Sequence, residues 1–274
     1  MKILESQPVI FTDLDGTLLD RETYSCEKAI PAIRFLQEER IPIVFCSAKT
    51  CSEQEVYRQQ LNIADPFIVE NGGAIFIPAD YFKYEFNFTR QVSGYNVVEL
   101  GISYSKIREI LQNLRELNDI NYTGYGDMSD EEVAAETGLS KAAAHLARQR
   151  EYEETLVLRG TFEETNRVLA SIKQAGLNYM SGGRYYGVMG DNDKGQAVKI
   201  LTELFRKKFG RIKTIAIGDS RNDVSMLACV DLPVLVQKPD GSWENIDMPD
   251  LYRVNAIGPE GWSVAIDELI RKVN

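Results

Sequence analysis

The sequence predicts an α/β protein in which a parallel sheet, covered by helices on both faces, is interrupted by an α+β insert. Three observations predict it. Apolar, strand-like runs alternate with helix-period segments at both ends of the chain. Those runs are almost continuously apolar, as strands buried on both faces must be. Between them the pattern changes to tyrosines, polar loops and acidic helices. The expected organisation is a Rossmann-like core in two pieces, residues 1–85 and 189–274, with the insert over 86–188.

Each element has its own justification. At the start, an apolar strand over 9–12 precedes a helix over 28–39. A second strand over 41–46, a helix over 52–61 and a strand over 67–69 follow. In the insert, Ser129-x-x-Glu132 and Thr161-x-x-Glu164 are capping boxes, in which side chains satisfy the free N–H groups of a helix start. They predict helices beginning near Asp130 and Phe162. The β-rich stretches 156–158 and 185–188 read as strands. The second half of the core reads as a helix over 194–209, a strand over 214–217, a short helix over 224–228, a strand over 234–236 and a final helix over 262–272. No repeat or low-complexity tract interrupts the pattern.

Composition narrows the class. The chain has 274 residues, 44% of them hydrophobic, enough for one large domain or a core with an insert. The formal charge of -10 argues against nucleic acid as the main partner. It leaves room for an anionic small substrate at a locally positive site. The basic run Arg206-Lys207-Lys208 reads as a helix end, where cations oppose the dipole. No stretch approaches the ~20 apolar residues of a membrane span, so a cytoplasmic enzyme with no membrane partner is expected. Cys26, Cys46, Cys51 and Cys229 form no Cys-x-x-Cys pair, and His145 is the single histidine. A zinc site and a disulfide framework are therefore not indicated. Cys46 and Cys229 read as small core residues, and His145 as an exposed or satisfied helix residue.

The first strand runs into Asp13-Leu14-Asp15-Gly16-Thr17. Two carboxylates one pleat period apart share a site, and Gly16 lets the chain turn out of the sheet. Carboxylates held together need a cation or proton between them. The arrangement points to a Mg²⁺ site beside a carboxylate free to attack. A calcium loop would need Glu at the twelfth position from Asp13, where Tyr24 stands.

Three further segments fall at the ends of other strands, where ligands gather in such sheets. Cys46-Ser47-Ala48-Lys49 offers a hydroxyl for a phosphoryl oxygen and a cation; plainly read, Ser47 only caps the next helix. Lys194 opens a helix, where a cation opposes the dipole unless an anion needs it; plainly read, it is solvated and paired with Asp191 or Asp193. Gly218-Asp219-Ser220-Arg221-Asn222-Asp223 follows an apolar strand. Asp219 completes a hard-cation site with Asp13 and Asp15, and Asp223 holds a metal water or orients Lys194. Plain helix capping explains one of these residues but not the set.

In order and spacing these four motifs resemble the haloacid dehalogenase superfamily of phosphotransferases. Asp13-x-Asp15-Gly-Thr looks like its first motif, Ser47 its second, Lys194 its third and Gly218-Asp219-x-x-x-Asp223 its fourth. The insert between the second and third motifs is similar to the large α/β caps of some members. Ala48-Lys49-Thr50, Glu70-Asn71-Gly72-Gly73-Ala74, Gly124-Tyr125-Gly126-Asp127, Arg150-Glu151-Tyr152-Glu153-Glu154-Thr155, Gly182-Gly183-Arg184-Tyr185 and Gly258-Pro259-Glu260-Gly261 resemble the mannosyl-3-phosphoglycerate phosphatases. The likeness spans nearly the whole chain and departs at Arg148-Gln149 and in the loop 245–251.

The resemblance implies Mg²⁺-dependent hydrolysis of a small phosphorylated sugar-glycerate, mannosyl-3-phosphoglycerate, to mannosylglycerate, a compatible solute. Asp13 is then the nucleophile and Asp15 the acid and base. Ser47 and Lys194 hold the phosphoryl charge. Asp13, the Asp15 backbone carbonyl, Asp219 and Asp223 serve the metal. Lys49, Asn71, Gly72, Gly73, Gly183 and Arg184 are candidate substrate contacts, and Arg150 is the first candidate to read the glycerate carboxylate. The core motifs leave open a phosphatase for glucosyl-3-phosphoglycerate or another sugar phosphate, and a phosphomutase. Asp15 argues against a dehalogenase, which needs no acid there. A non-catalytic binding protein is disfavoured because all four motifs carry competent residues.

Overall fold

The computed structural model describes residues 6–118, 120–182 and 184–271. In chain order the elements are β1 Gln7–Thr12, α1 Ile30–Glu38, β2 Ile43–Phe45, α2 Cys51–Gln60, β3 Phe67–Val69, β4 Ala74–Pro78, β5 Arg90–Val92 and β6 Tyr95–Glu99. Next come α3 Tyr104–Asn118, β7 Thr123–Gly124, α4 Asp130–Thr137, α5 Lys141–Ala147, β8 Glu154–Val157, α6 Phe162–Gln174, β9 Asn178–Ser181 and β10 Tyr186–Met189. The chain closes with α7 Lys194–Phe209, β11 Ile212–Gly218, α8 Val224–Leu227, β12 Leu232–Gln237, β13 Tyr252–Ile257 and α9 Gly258–Ile266.

The core sheet is parallel throughout, in the order β13-β12-β11-β1-β2. Alternate side chains of each strand enter opposite layers. Ile10, Ile43, Phe45, Ile215 and Val234 meet α1 and α9 through Ile33, Leu36, Trp262 and Ile266. Val9, Phe11, Val44, Ala216 and Leu235 meet α7 and α8 through Val198, Leu201, Phe205 and Met226. Two buried layers explain the unbroken apolar runs. Trp262 donates its indole N–H to the Thr12 hydroxyl at 3.0 Å, fixing α9 beneath the end of β1. The last helix starts at Gly258, with Pro259 in its first turn, rather than at 262.

A bridge from Cys46 to Ile68 joins the core sheet to a second, antiparallel sheet, β3-β4-β6-β5. This moves the start of the insert. Residues 90–99 were expected there for their polar composition, but β6 pairs with Ala74–Pro78 and β5 pairs with β6 as the edge strand. Their polarity is that of a partly exposed edge strand. The tight turn between β5 and β6 uses Ser93 and Gly94, both at positive φ (49° and 83°), as a right-twisted hairpin requires.

The insert proper has its own antiparallel sheet, β7-β8-β10-β9. Its one face packs on α3 and α6 through Ile107, Leu111, Leu156, Val168, Ile172 and Val188. The other carries Tyr125, Met128, Val133, Ala144, Ala147 and Val157, with α4 and α5. Both capping boxes form as expected, Ser129 with Glu132 and Thr161 with Glu164. His145 is exposed on α5, with Nδ1 2.9 Å from Asp130. Among the described residues no helix is long and apolar enough to cross a membrane.

Candidate active site

The carboxyl ends of β1, β2, β3 and β11 converge on one point. Asp13 leaves β1 with its N–H donated to the Ile217 carbonyl at 2.9 Å, which ties it to β11. Gly16 follows at φ +84°, and a side chain there would start 2.7 Å from Asp219 Oδ2. A β-carbon at Gly218 would lie 2.5 Å from Asp223 Oδ2. Close approach requires both glycines, and the turn requires Gly16 as well.

Lys194 is wholly buried, with Nζ 2.6 Å from Asp13 Oδ1 and 2.7 Å from Asp223 Oδ1. Its pairing is thus with the site, not with Asp191 or Asp193. Asp193 is instead the N-cap of α7, accepting from the Gln196 N–H at 2.9 Å. Burial opposes the Lys194 charge, but the carboxylates of Asp13 and Asp223 prevail and raise its pKa. Asp223 also accepts from the N–H groups of Asp219 and Ser220 at 3.1 and 3.2 Å. One carboxylate therefore shapes the loop and orients the lysine.

Asp13, Asp219 and Asp223 bring carboxylate oxygens within 4.8 Å of one another, all buried. Burial pushes the Asp13 pKa well up; Lys194 opposes this, and Asp223 and Asp219 add to it. Asp219 is pushed up to about 6 by burial and by Asp223, against the pull of Arg21 at 3.1 Å. Lys194 and Arg21 together do not neutralise three buried carboxylates. An all-oxygen set of this charge fits a hard divalent cation such as Mg²⁺.

Asp15 points away from that cluster. Its Oδ1 lies 3.0 Å from Nζ of Lys49, which also reaches Glu53 at 3.7 Å. Burial opposes the Lys49 charge, but Asp15 and Glu53 raise its pKa. Lys49 is thus held beside Asp15. Ser47 is buried, and its Oγ accepts the Lys49 N–H at 3.2 Å. The helix cap is not Ser47 but Thr50, which forms a capping box with Glu53.

Asn71 sits beside Ser47, donating its N–H to the Ser47 carbonyl at 3.0 Å. Its Nδ2 donates to Glu153 Oε2 at 2.7 Å and its Oδ1 accepts from Asn222 at 3.4 Å. Gly72 and Gly73 have packing roles. A β-carbon at Gly72 would sit 2.1 Å from the Asp193 carbonyl oxygen, and one at Gly73 would sit 2.4 Å from Tyr152 Cβ. The Gly73 N–H is already given to the Val69 and Glu70 carbonyls, so it does not serve as a substrate donor.

Arg150 is where the structure departs most from expectation. Its side chain is 7% exposed. It donates to the Ala48 carbonyl at 2.9 Å, the Ala147 carbonyl at 3.0 Å and Glu153 Oε1 at 3.2 Å. These contacts make it a buried strut between the insert and the core. Arg184 is exposed and donates to the Glu136 carbonyl at 3.0 Å, within the insert. Gly183 lies outside the described residues.

A model for haloacid dehalogenase-like hydrolases matches residues 10–240. The chain belongs to this family. Within the haloacid dehalogenase-like hydrolases it is 48% identical, over 97% of its length and 98% of the relative's, to a glucosyl-3-phosphoglycerate/mannosyl-3-phosphoglycerate phosphatase of Methanococcoides burtonii. It is 40% identical, over 83% of its length and 90% of the relative's, to a mannosyl-3-phosphoglycerate phosphatase of Pyrococcus furiosus. The chain is a phosphoric monoester hydrolase of the family. Its fold is shared by the sucrose-phosphatase of Synechocystis, solved with sucrose and phosphate (TM-score 0.63, 14% identity, 96% and 98% coverage). It is also shared by a subclass IIB sugar phosphatase (TM-score 0.64, 17% identity, 96% and 99% coverage).

Three residues of this site escaped the sequence reading. Arg21 follows the first motif and pairs with Asp219; its charge, six residues past Asp15, was the available signal. Glu70 is fully buried and accepts the N–H groups of Glu151, Tyr152 and Glu153 at 2.8–3.1 Å. Glu153 links Arg150 to Asn71. Glu70 and Glu153 are 83 residues apart, and both stand in segments quoted for the family likeness, but neither was given a role.

Proposed function

We propose that this hydrolase removes phosphate from mannosyl-3-phosphoglycerate, and from its glucosyl counterpart, releasing the glycosylglycerate. The observation that carries the chemistry is the buried Asp13–Lys194–Asp223 contact, with Asp15 two residues on beside Lys49. The substrate class rests on the 48% identical relative, whose likeness includes the whole insert. Its name covers both sugars, and mannose and glucose differ at a single hydroxyl, so both belong in the proposal.

Bound by Asp13, the Asp15 backbone carbonyl and Asp219, with Asp223 behind, a Mg²⁺ ion would neutralise phosphoryl oxygens that two neighbouring carboxylates otherwise repel. Lys194 keeps Asp13 anionic and adds positive charge under the phosphoryl group. Ser47 donates to a phosphoryl oxygen. A carboxylate oxygen of Asp13 attacks phosphorus, and the bond to the glycerate oxygen breaks. Asp15 gives its proton to that oxygen, a poor leaving group as a bare alkoxide. Asp15 then takes a proton from water, whose oxygen attacks phosphorus, frees Asp13 and completes inorganic phosphate. Lys49 holds Asp15 toward the leaving group through the 3.0 Å contact.

Phosphate release across mannosyl-3-phosphoglycerate, glucosyl-3-phosphoglycerate and 3-phosphoglycerate, each with Mg²⁺ and with EDTA, tests this reading. It expects metal-dependent turnover and a higher kcat/KM for the two glycosylated esters. Metal-independent turnover, or no preference for glycosylated esters, would overturn it.

A further inference from the structure

Proton delivery by Asp15 fixes where the leaving group lies. The oxygen it protonates joins phosphorus to glycerate, so the rest of the leaving group must extend past Asp15, away from Lys194. What stands there is Lys49 and a set of tyrosines. Lys49 Nζ is 4.9 Å from the centre of the Tyr24 ring and 5.9 Å from that of Tyr57. Tyr57 comes from α2 and Tyr24 from the loop after the first motif. That loop is tightly built: Asp20 Oδ1 accepts the N–H groups of Glu22 and Thr23 and the Thr23 hydroxyl, and the Asp20 carbonyl accepts the Tyr24 N–H at 2.9 Å. It holds Tyr24 at φ 56°, a left-handed backbone unfavourable for an aromatic residue.

The insert docks on α2, which carries Tyr57: Thr50 donates to the Leu146 carbonyl at 3.0 Å and Ser52 to Gln149 at 2.5 Å. Tyr125 of the insert is buried among Met128, Val133 and Val157. Among the described residues, the hydroxyls of Tyr24 and Tyr57 have no hydrogen-bond partner, like those of Tyr122, Tyr125, Tyr179 and Tyr186 elsewhere. Those of Tyr81, Tyr95, Tyr104 and Tyr152 all bond within the protein.

Two phenols from two segments, with Glu53 as an acceptor, match a hexose: aromatic rings for its C–H faces and polar tips for its hydroxyls. We propose that Tyr24, Tyr57 and Glu53 form the subsite that takes the sugar of the leaving group. This rests on the glycosyl-phosphoglycerate reading above.

The test is the full chain carrying Tyr24→Phe, Tyr57→Phe or both, which keeps the rings and removes the hydroxyls. Each single variant is expected to lose about fivefold more kcat/KM on the glycosyl-3-phosphoglycerates than on p-nitrophenyl phosphate, from the net worth of one hydrogen bond of ~1 kcal/mol. The double variant should weaken calorimetric binding of the product glycosylglycerate in the same proportion. Equal losses on all esters with unchanged product binding would overturn the subsite while leaving the proposed function intact. If wild type instead prefers another sugar phosphate, the proposed substrate fails; the subsite then stands only if the tyrosine variants lose selectively on that sugar ester.

Discussion

Replacing Arg150 with alanine separates two roles for a residue that the sequence marks only as a cation. The structure makes it a buried strut. Its guanidinium gives hydrogen bonds to the Ala48 and Ala147 carbonyls and to Glu153, and it stands near buried Glu70. Arg150→Ala leaves two buried carboxylates short of their cation, and two carbonyls lose a charged donor. Breaking a buried pair from one side costs about 3–5 kcal/mol. For a chain of this size each kcal/mol moves Tm by roughly 2–4 °C, so a fall on the order of 6–20 °C is expected by thermal-shift or calorimetry. Catalysis should fall alike on the glycerate ester and on p-nitrophenyl phosphate, because the insert loses its seat on the core. Adding Glu153→Gln to the variant should restore part of the stability, since the orphaned charge is then gone. A Tm within about 2 °C of wild type, with a loss confined to the carboxylate-bearing substrate, would refute the strut and restore Arg150 as the carboxylate reader.

Asp13→Asn should abolish phosphate release while circular dichroism stays native, since an amide cannot attack phosphorus; turnover within a few fold of wild type would remove the nucleophile assignment. Asp15→Asn should cost far more on the alkyl ester than on p-nitrophenyl phosphate, whose leaving group needs little protonation, and equal loss on both would count against Asp15 as the acid. Glu70→Gln tests linkage. Burial, against the pull of Arg150, raises the Glu70 pKa from an ordinary 4.5 to about 7. A carboxyl with a raised folded pKa holds its proton more tightly in the folded state, so its contribution grows as pH falls from 7 to 4.5 and is lost as pH rises. Wild type should therefore gain Tm relative to Glu70→Gln on acidification across that window, and a pH-independent difference would show that the three backbone N–H groups hold Glu70 ionised throughout.

The core was legible because its signals are local. β1, β3 and β11 announce themselves as apolar runs, and Asp13, Ser47, Lys194 and Asp219 stand at strand ends or helix starts where the architecture brings them together. Position along the chain was enough to infer convergence. The hairpin β5–β6 was misassigned because a partly exposed edge strand has the composition of a loop-rich insert, and the pairing of β6 with Ala74–Pro78 leaves no mark in residues 90–99 themselves. The burial of Arg150 was hidden for a related reason. A cation beside a run of carboxylates looks exposed on paper, and burial is decided by Ala48 and Glu70, some 80 to 100 residues earlier.

The same long-range contacts tie the insert to the segment that carries Ser47. Arg150 bonds Ala48, the residue after Ser47. Glu153 bonds Asn71, whose N–H is given to the Ser47 carbonyl. Glu70, beside Asn71, receives three successive N–H groups of the insert segment 151–153. Glu70 and Asn71 both hold left-handed backbones, φ 47° and 53°, which cost non-glycine residues on the order of 1–3 kcal/mol each. Docking of the insert offsets that strain with charge-assisted hydrogen bonds, which are stronger than neutral ones. The turn of Glu70 and Asn71 and the seat of the insert are therefore one structure, and seating the insert fixes the backbone around Ser47.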